Sequence, residues 1–471
     1  VTTYLWIALV AVVAPAVLGL GIVRWLGVGG AEGRRLLLGL GYVVGHFALA
    51  GLTLPWLLLG RPVPGVLLPV VAAAVGGLLL RAARRRDGPP VARPSTPWWS
   101  LVPLALLLFC LADACAAKNA EPIRLTDEAT NWAAKAKALW AVPVCDLHTA
   151  LHFFVEHPDY PLLNPLVQAL AFAGAGELLH AENRLPVQGF AAALLLLLSA
   201  GLSRRARPWV GALALVAFGS AGAFTRLAPT AYADVMLACC TLAAAEALLR
   251  WREGGGSGFL GVAAIAVGAM IQTKNEGLLL AAALLLPFAV SCLLARRRGA
   301  GPALAWRSLP WLLVPAASYA VHQGMNAWFG IQNDLTNPAI GQGRGLLSRV
   351  VDQFAANAGP VLEHHGRLLL DAADNRLLPF AFVIAAPLAA IAWRRQWLQD
   401  AGPLLLAAFA LAMAGYMAVY IGTPYDLAWH LGVAADRTLL HVLPLAALGV
   451  GVALAPLDDA AATEGARSRT R

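Results

Sequence analysis

Apolar runs long enough to cross a lipid bilayer recur along this chain, and arginines arrive in short clusters between them. The runs lie near residues 4–23, 36–59, 66–82, 100–117, 186–203, 208–224, 233–250, 258–273, 276–295, 308–326, 377–393, 402–421 and 438–455. A hydrocarbon core about 30 Å thick takes roughly 20 helical residues to span, and a helix satisfies its own backbone groups there. The chain is therefore expected to be an all-α polytopic membrane protein with about thirteen transmembrane helices. Composition agrees, with 59% hydrophobic and 13% charged residues, away from the balance of a soluble domain. No small-residue cleavage site follows the first run, Tyr4–Val23, so it is expected to be a retained helix rather than a signal peptide.

The formal charge of +9 does not mark a nucleic-acid partner. Its arginines gather at Arg24/Arg34/Arg35, Arg81–Arg86, Arg204–Arg207, Arg250/Arg252, Arg296–Arg298 with Arg307, Arg394/Arg395 and Arg467–Arg471. Basic clusters between apolar runs mark cytoplasmic loops. Successive clusters are two crossings apart with one exception, which sets the N-terminus outside and the C-terminus inside. From Lys118 to the Arg204 cluster the chain must cross an odd number of times, yet two apolar pieces lie there. Tyr160–Leu179 carries Asn164, Pro165 and Gln168, and is expected to lie at the outer interface or to dip in and return, while Pro186–Leu202 crosses. Two outer loops are long, 118–185 and 327–376, the second holding an amphipathic helix over Leu346–Leu370. The basic, Pro-rich stretch Arg84–Pro97 divides a three-helix preface and its linker (1–99) from a core (100–456), and 457–471 form a cytoplasmic tail.

Polar residues then collect on one side. The stretch from Leu125 to Lys137 holds Asp127, Glu128, Asn131, Lys135 and Lys137 directly after the apolar Leu101–Ala117. Taken alone it also reads as a solvated loop opening a helix, with Thr126 as its cap. His157, Asp159, Asp234, Lys274, Glu276, Asp426, His430 and Arg437 fall at outer helix ends or outer loops as well. An unpaired charge at membrane depth costs roughly 3 kcal/mol on insertion scales, so these groups are expected to line a hydrated cavity and pair with one another. A carboxylate can act as general base, and Lys or Arg can hold a phosphate and stabilise it as it leaves. Such a set suits transfer of a sugar from a lipid-linked phosphate, and it also suits proton-coupled transport. Mid-membrane residues such as His46 and Glu246 are few and scattered, which disfavours a transporter or lipid flippase. His157, His364 and His365 are candidate metal ligands or hydrogen-bonded structural histidines. Trp132 and Trp140 either stack on a sugar or anchor helices at the interface.

A series of short motifs narrows the choice. Asp127-Glu128 comes first, then His157-Pro158-Asp159-Tyr160-Pro161-Leu162-Leu163-Asn164-Pro165 leading into a short apolar helix, then Asn183-Arg184-Leu185-Pro186. Tyr232-Ala233-Asp234, Thr273-Lys274-Asn275-Glu276-Gly277 and Thr423-Pro424-Tyr425-Asp426-Leu427-Ala428-Trp429-His430-Leu431 with Arg437 follow. Over about Leu101–Pro456 this order resembles the membrane-embedded C-type glycosyltransferases, nearest the bacterial relatives of the dolichyl-phosphate-mannose protein mannosyltransferases and of the lipid A aminoarabinose transferase. The resemblance implies a GT-C-type fold with outer-face juxtamembrane helices. It also implies a place in the inner (cell) membrane, with the active site facing the periplasm or extracellular side. Asp127 would be the base toward an acceptor hydroxyl, Glu128 would stand beside it, and Asp234 would be the second catalytic acid residue. Lys274 and Arg437 would contact the donor phosphate, supported by Glu276, His430, His157, Asp159 and Tyr160. The donor would be a polyprenyl-phosphate sugar and the acceptor a lipid, glycan or protein of the cell envelope, with inversion in a single displacement. Some members hold a divalent metal between two such acids, whereas the mannosyltransferase-like branch has no clear metal dependence. The three N-terminal helices lie outside the family core, and Phe329–Arg376 is too short for the soluble C-terminal domain that some relatives carry.

Overall fold

Lipid offers no partner for a backbone N–H or C=O, so apolar runs fold as helices, and helices are the only regular structure among the described residues. The computed structural model describes residues 2–29, 32–85, 97–124, 126–142, 144, 146–153, 156–297, 306–333, 337, 343–371 and 401–454. The expected span over 377–393, the tail 457–471 and most of the linker Arg84–Pro97 lie outside them. In chain order the first helices are α1 (Thr3–Trp25), α2 (Arg34–Leu58), α3 (Leu67–Arg84), α4 (Trp98–Asn119), α5 (128–140) and α6 (Leu147–Phe153). Next come α7 (Leu163–Ala175), α8 (Glu182–Arg205), α9 (Pro208–Gly219), α10 (Gly222–Leu227) and α11 (Ala233–Arg252). The last are α12 (Gly258–Thr273), α13 (Glu276–Arg297), α14 (Leu313–Phe329), α15 (Leu346–Leu370), α16 (Ala401–Ile421) and α17 (Leu427–Ala453).

Among the described residues, eight helices are long and apolar enough to cross a membrane: α1, α2, α3, α4, α8, α13, α16 and α17. They make this a multi-pass membrane protein. Three more, α7, α9 and α12, are apolar but shorter. With 13 residues, α7 extends only about 20 Å, short of a bilayer core. Its side chains from Leu163 to Phe172 are all buried, so it is enclosed by the surrounding protein. The apolar run 208–224 breaks where Ala221 turns extended between α9 and α10. Helix α11 is long enough to span but carries Asp234, Glu246, Arg250 and Arg252.

Helix α11 is the hub, buried from Ala233 through Trp251 and packed on α8, α12 and α17. Around it, small residues bring the N-terminal helices together. A Cβ on Gly19 would lie 1.8 Å from the Gly41 carbonyl oxygen, and one on Gly45 would lie 1.8 Å from that of Pro15. Helices α1 and α2 therefore cross backbone to backbone, where only glycine fits. In turn α2 docks on α8, where the Tyr42 hydroxyl donates to the Pro186 carbonyl at 2.7 Å. The expected preface is thus bonded directly to the core.

At 1.5 Å rise per residue, Asp234 and Arg252 stand about 27 Å apart on α11 and mark the two ends of the bundle. At the arginine-rich end Glu246, wholly buried, accepts from Arg205 (2.7 Å) and Arg250 (3.3 Å). Arg205 also reaches Glu253 (2.5 Å), as does Arg204 (2.9 Å), and Arg250 pairs with Glu32 of the α1–α2 turn. Glu246 is therefore no scattered mid-membrane acid but the centre of a clamp joining α8, α11 and that turn. Helix α15 exposes Leu347, Val351, Phe354 and Leu362, while Arg349 is buried and donates to the Gly422 carbonyl at 2.8 Å. That is the expected amphipathic helix, tied to the end of α16.

Removing one partner of a buried ion pair costs about 3–5 kcal/mol, because the charge left behind has no counter-ion. Glu246→Gln is therefore expected to lower the thermal midpoint of the detergent-solubilised chain well below that of Glu253→Gln, whose side chain is 29% exposed. Equal midpoints would show that the clamp adds no stability.

Candidate functional site

Helix α11 begins after Tyr232, which is extended, and places Asp234 in its first turn, where the helix dipole favours an acid. The Asp234 side chain has no exposed surface. Its Oδ1 accepts from Lys274 Nζ (3.0 Å) and His441 Nε2 (2.9 Å), and its Oδ2 lies 3.3 Å from Arg437 Nε and 3.2 Å from Nη2. Lys274 arrives through a turn almost without a loop: α12 stops at Thr273, Lys274 is extended, and α13 starts at Glu276. Gly277 permits it, since a Cβ there would lie 2.0 Å from the Met270 carbonyl oxygen. The same turn brings Glu276 Oε1 to 3.0 Å from Lys274 Nζ. Arg437 and His441 sit one turn apart on α17, on one helix face.

Asp127 reaches the group from the other side. Helix α5 opens with a π-helical turn over Glu128–Ala133, with no side-chain cap; such wide turns recur at functional sites. Thr126, expected to cap this helix, does not. Asp127 Oδ2 lies 2.7 Å from Arg437 Nη1. The next carboxylate diverges. Glu128 is buried, accepts from Arg184 Nε (2.8 Å) and Nη2 (3.0 Å), and takes the Ala231 N–H at 2.6 Å. Arg184 Nη1 donates further to the carbonyls of Lys118 (2.8 Å) and Glu121 (2.6 Å). Glu128, expected beside Asp127, instead ties the end of α4 and the start of α8 to the turn that launches Asp234.

The supporting residues divide. Asp159 Oδ2 accepts from Asn275 (2.6 Å) and Asn333 (2.8 Å), and Asn275 stands between Lys274 and Glu276. The Tyr160 ring lies 5.7 Å below Lys274 Nζ and stacks on Trp132 at 5.3 Å. Lys135 Nζ donates to the carbonyls of His157 (2.9 Å), Pro158 (3.4 Å) and Tyr160 (2.8 Å), which shapes that loop. His157 contributes its carbonyl and packs its ring on Tyr160. His430 does not join the acid–base group: its Nδ1 bonds the Thr423 hydroxyl (2.8 Å) and its ring meets Tyr420. Asp426 caps α17, accepting the Trp429 N–H at 2.8 Å. Trp132 is wholly buried and so presents no face to a sugar. His365 is buried with Nδ1 against the Val361 carbonyl, and among the described residues no three His, Cys, Asp or Glu side chains are placed to hold a metal ion together.

Sequence reasoning missed Arg184 as a partner and missed His441 and Tyr416 altogether. A carboxylate only accepts, so His441 Nε2 donates to Asp234, and Nδ1 pairs with the Tyr416 hydroxyl at 2.8 Å. The available signal was the spacing Arg437-x-x-x-His441 inside an apolar run.

Three carboxylates (Asp127, Asp234, Glu276) face two cations (Lys274, Arg437), which leaves one negative charge with His441 neutral. Exposure sorts them. Asp127 is 24% exposed, Glu276 23% and Arg437 17%, whereas Lys274 is 3% and Asp234 0%. A ligand from solvent therefore meets Asp127 and Arg437 first, since Glu276 Oε2 is buried without a hydrogen-bond partner and Oε1 is held by Lys274. Arg437 also lies 4.7 Å over the Tyr232 ring, a favourable cation–π geometry. Burial pulls the Lys274 ammonium down, but Asp234 and Glu276 outweigh it and hold the group above the ordinary lysine value. The donor set does not fit a divalent cation between the two aspartates, because the Arg437 guanidinium lies there and Lys274 and His441 fill the rest of Asp234.

Burial pushes the Lys135 ammonium from 10.5 down to about 7, with Asp159 opposing. Below pH 7 folded and unfolded chains both hold this proton and the burial penalty is complete. As pH rises the folded chain releases a proton that the unfolded chain keeps up to its own pKa, so stability rises over that window. Melting between pH 7 and 9 should show the wild type gaining on Lys135→Met by at most about 1.4 kcal/mol per pH unit. A constant gap would remove Lys135 as the titrating group. No family model matches this chain, and no curated protein and no solved structure matches it.

Proposed function

We propose that the chain is a C-type glycosyltransferase with about thirteen crossings, a GT-C-type fold and its acid end facing the periplasm or cell exterior. It would move a sugar from a polyprenyl-phosphate donor to an acceptor hydroxyl. One observation supports this above the rest. Asp127, Asp234, Lys274, Glu276 and Arg437, from segments far apart in sequence, meet in one partly exposed group at the end opposite the arginine clamp.

Roles follow exposure. Arg437, whose side chain is partly exposed, takes the donor phosphate in charge-assisted bonds, and Lys274 stands behind it holding Asp234. A phosphate arriving at Arg437 competes with Asp127 for Nη1 and turns that carboxylate toward the acceptor. The acceptor oxygen attacks the anomeric carbon, its proton passes to Asp127, and the bond from that carbon to the phosphate oxygen breaks. The electron pair leaves with the lipid phosphate, stabilised at Arg437. A single displacement inverts the sugar. No step runs through a metal. The rival reading, a transporter or lipid flippase, calls for titratable groups free to relay through the membrane. His46 is bonded to the carbonyls of Tyr42 and Ala11, and Glu246 to two arginines.

Reconstitution with a polyprenyl-phospho-sugar tests the proposal. Asp127→Asn is expected to lower kcat about hundredfold or more, and Arg437→Gln to raise KM for the donor. Wild-type turnover in Asp127→Asn would strike that residue from the mechanism, and an unchanged donor KM in Arg437→Gln would strike the phosphate contact.

A further inference from the structure

Helix α15 is fixed to the end of α16, a helix long and apolar enough to cross a membrane. Arg349 Nε donates to the Gly422 carbonyl (2.8 Å), Asn357 Nδ2 donates to the Ile421 carbonyl (2.9 Å), and the His365 ring meets Tyr420 at 5.3 Å. From Arg349 to His365 is about 24 Å along a helix, yet their partners are consecutive residues at the end of α16. Helix α15 therefore lies across that end and does not run alongside α16. At about 100° per residue, Leu347, Val351, Phe354 and Leu362 fall within an arc of about 80°. All four are exposed, Leu347 at 78% and Val351 at 70%. Asp352, Glu363 and Arg367 are centred about 150° away on the same wheel, exposed as well, with Asp352 paired to Arg344 and Glu363 to Arg367. A helix with one apolar side and charges opposite settles in the headgroup–acyl boundary, its apolar side about 5–10 Å deep.

The height of that boundary relative to the acid–base group follows from α16 and α17. The Tyr420 hydroxyl pairs with that of Thr438 (3.1 Å), and the Tyr416 hydroxyl pairs with His441 (2.8 Å). The two helices therefore run antiparallel, with Tyr420 across from Thr438. Arg437 precedes Thr438 and so stands level with the end of α16. There α15 rests, and there the apolar span of α16 stops, at Ile421.

We propose that α15 docks on the lipid leaflet at the acid end through Leu347, Val351, Phe354 and Leu362, and that Arg437 therefore stands at the depth of the headgroup phosphates. Hydrocarbon already surrounds α16, so lipid reaches this arc without any other partner. A lipid phosphate then meets Arg437 while its tail stays in the hydrocarbon. That level depends on α15, α16 and α17 alone, whatever reaction the acid–base group carries out.

Depth-dependent quenching in phosphatidylcholine vesicles tests this, with a fluorescent amino acid placed at one position of the full chain at a time. Probes at Leu347, Val351, Asp352 and Glu363 replace exposed side chains and so disturb no packing. Those at Leu347 and Val351 are expected to lose most of their fluorescence to lipids brominated near the headgroup end of the chain, and much less to lipids brominated near its tail. Those at Asp352 and Glu363 should keep theirs with both lipids. A probe at Leu411, exposed on α16 about 15 Å from Ile421, should show the opposite preference and so fix the depth of that end. No quenching at Leu347 and Val351, or quenching that appears only as the protein is diluted in lipid, as a second copy covering the arc would give, would overturn the proposal. So would a tail-end preference at Val351, which would mean that α15 enters the hydrocarbon, or a headgroup-end preference at Leu411.

Discussion

A carboxylate with no exposed surface in a membrane bundle persists only where cations and donors come to it, and Asp234 draws in two cations and a histidine N–H. Lys274 comes from the α12–α13 turn, and Arg437 and His441 come from one face of α17. Each contact constrains backbone as well as charge. Lys274 reaches Asp234 because only two residues separate α12 from α13, and that close start depends on Gly277 lying against the Met270 carbonyl. The order of packing around α11 therefore follows from satisfying one acid.

The same device appears at both ends of α8. Arg184 near its start binds Glu128, which also holds the Ala231 N–H just before α11. Arg205 near its end binds Glu246 of α11. Buried pairs of this kind add little stability over a well-packed apolar contact, but breaking one leaves an uncompensated charge. Slipping α8 along α11 by one turn would break both pairs at once, so together they set the register of two helices whose apolar faces alone would slide.

What the sequence reveals is what solvent partition dictates. The apolar runs, the arginine clusters and the amphipathic pattern of α15 are written in composition, and so is the oddity of Asp234 or Lys274 amid apolar neighbours. Partner choice is not written there. Asp127 and Glu128 are adjacent, yet the wide π turn sends one to Arg437 and the other to Arg184. His430 shares a motif with Asp426 but lies two turns before Arg437, about 10 Å along the helix, and finds Thr423 instead. His441 sits within a run whose hydropathy hides it. The break after α9 and the glycine crossing of α1 with α2 depend on tertiary contacts that no local pattern carries.

Arg437 is where fixed and exchangeable parts of the group meet. A guanidinium has five N–H donors. Nε and Nη2 serve Asp234 and Nη1 serves Asp127, which leaves one N–H on each terminal nitrogen for an incoming anion. Of its two carboxylates, Asp127 has exposed surface through which water can replace a lost contact, and Asp234 has none. Losing the contact to Asp234 would take from a wholly buried carboxylate one of its two cations and leave its Oδ2 without a partner, a cost water cannot offset there. Losing the contact to Asp127 costs only what a partly solvated pair is worth, about 1 kcal/mol or less. An anion that binds Arg437 therefore displaces Asp127 while Asp234 keeps the guanidinium in place, and the carboxylate it frees is the one that faces solvent.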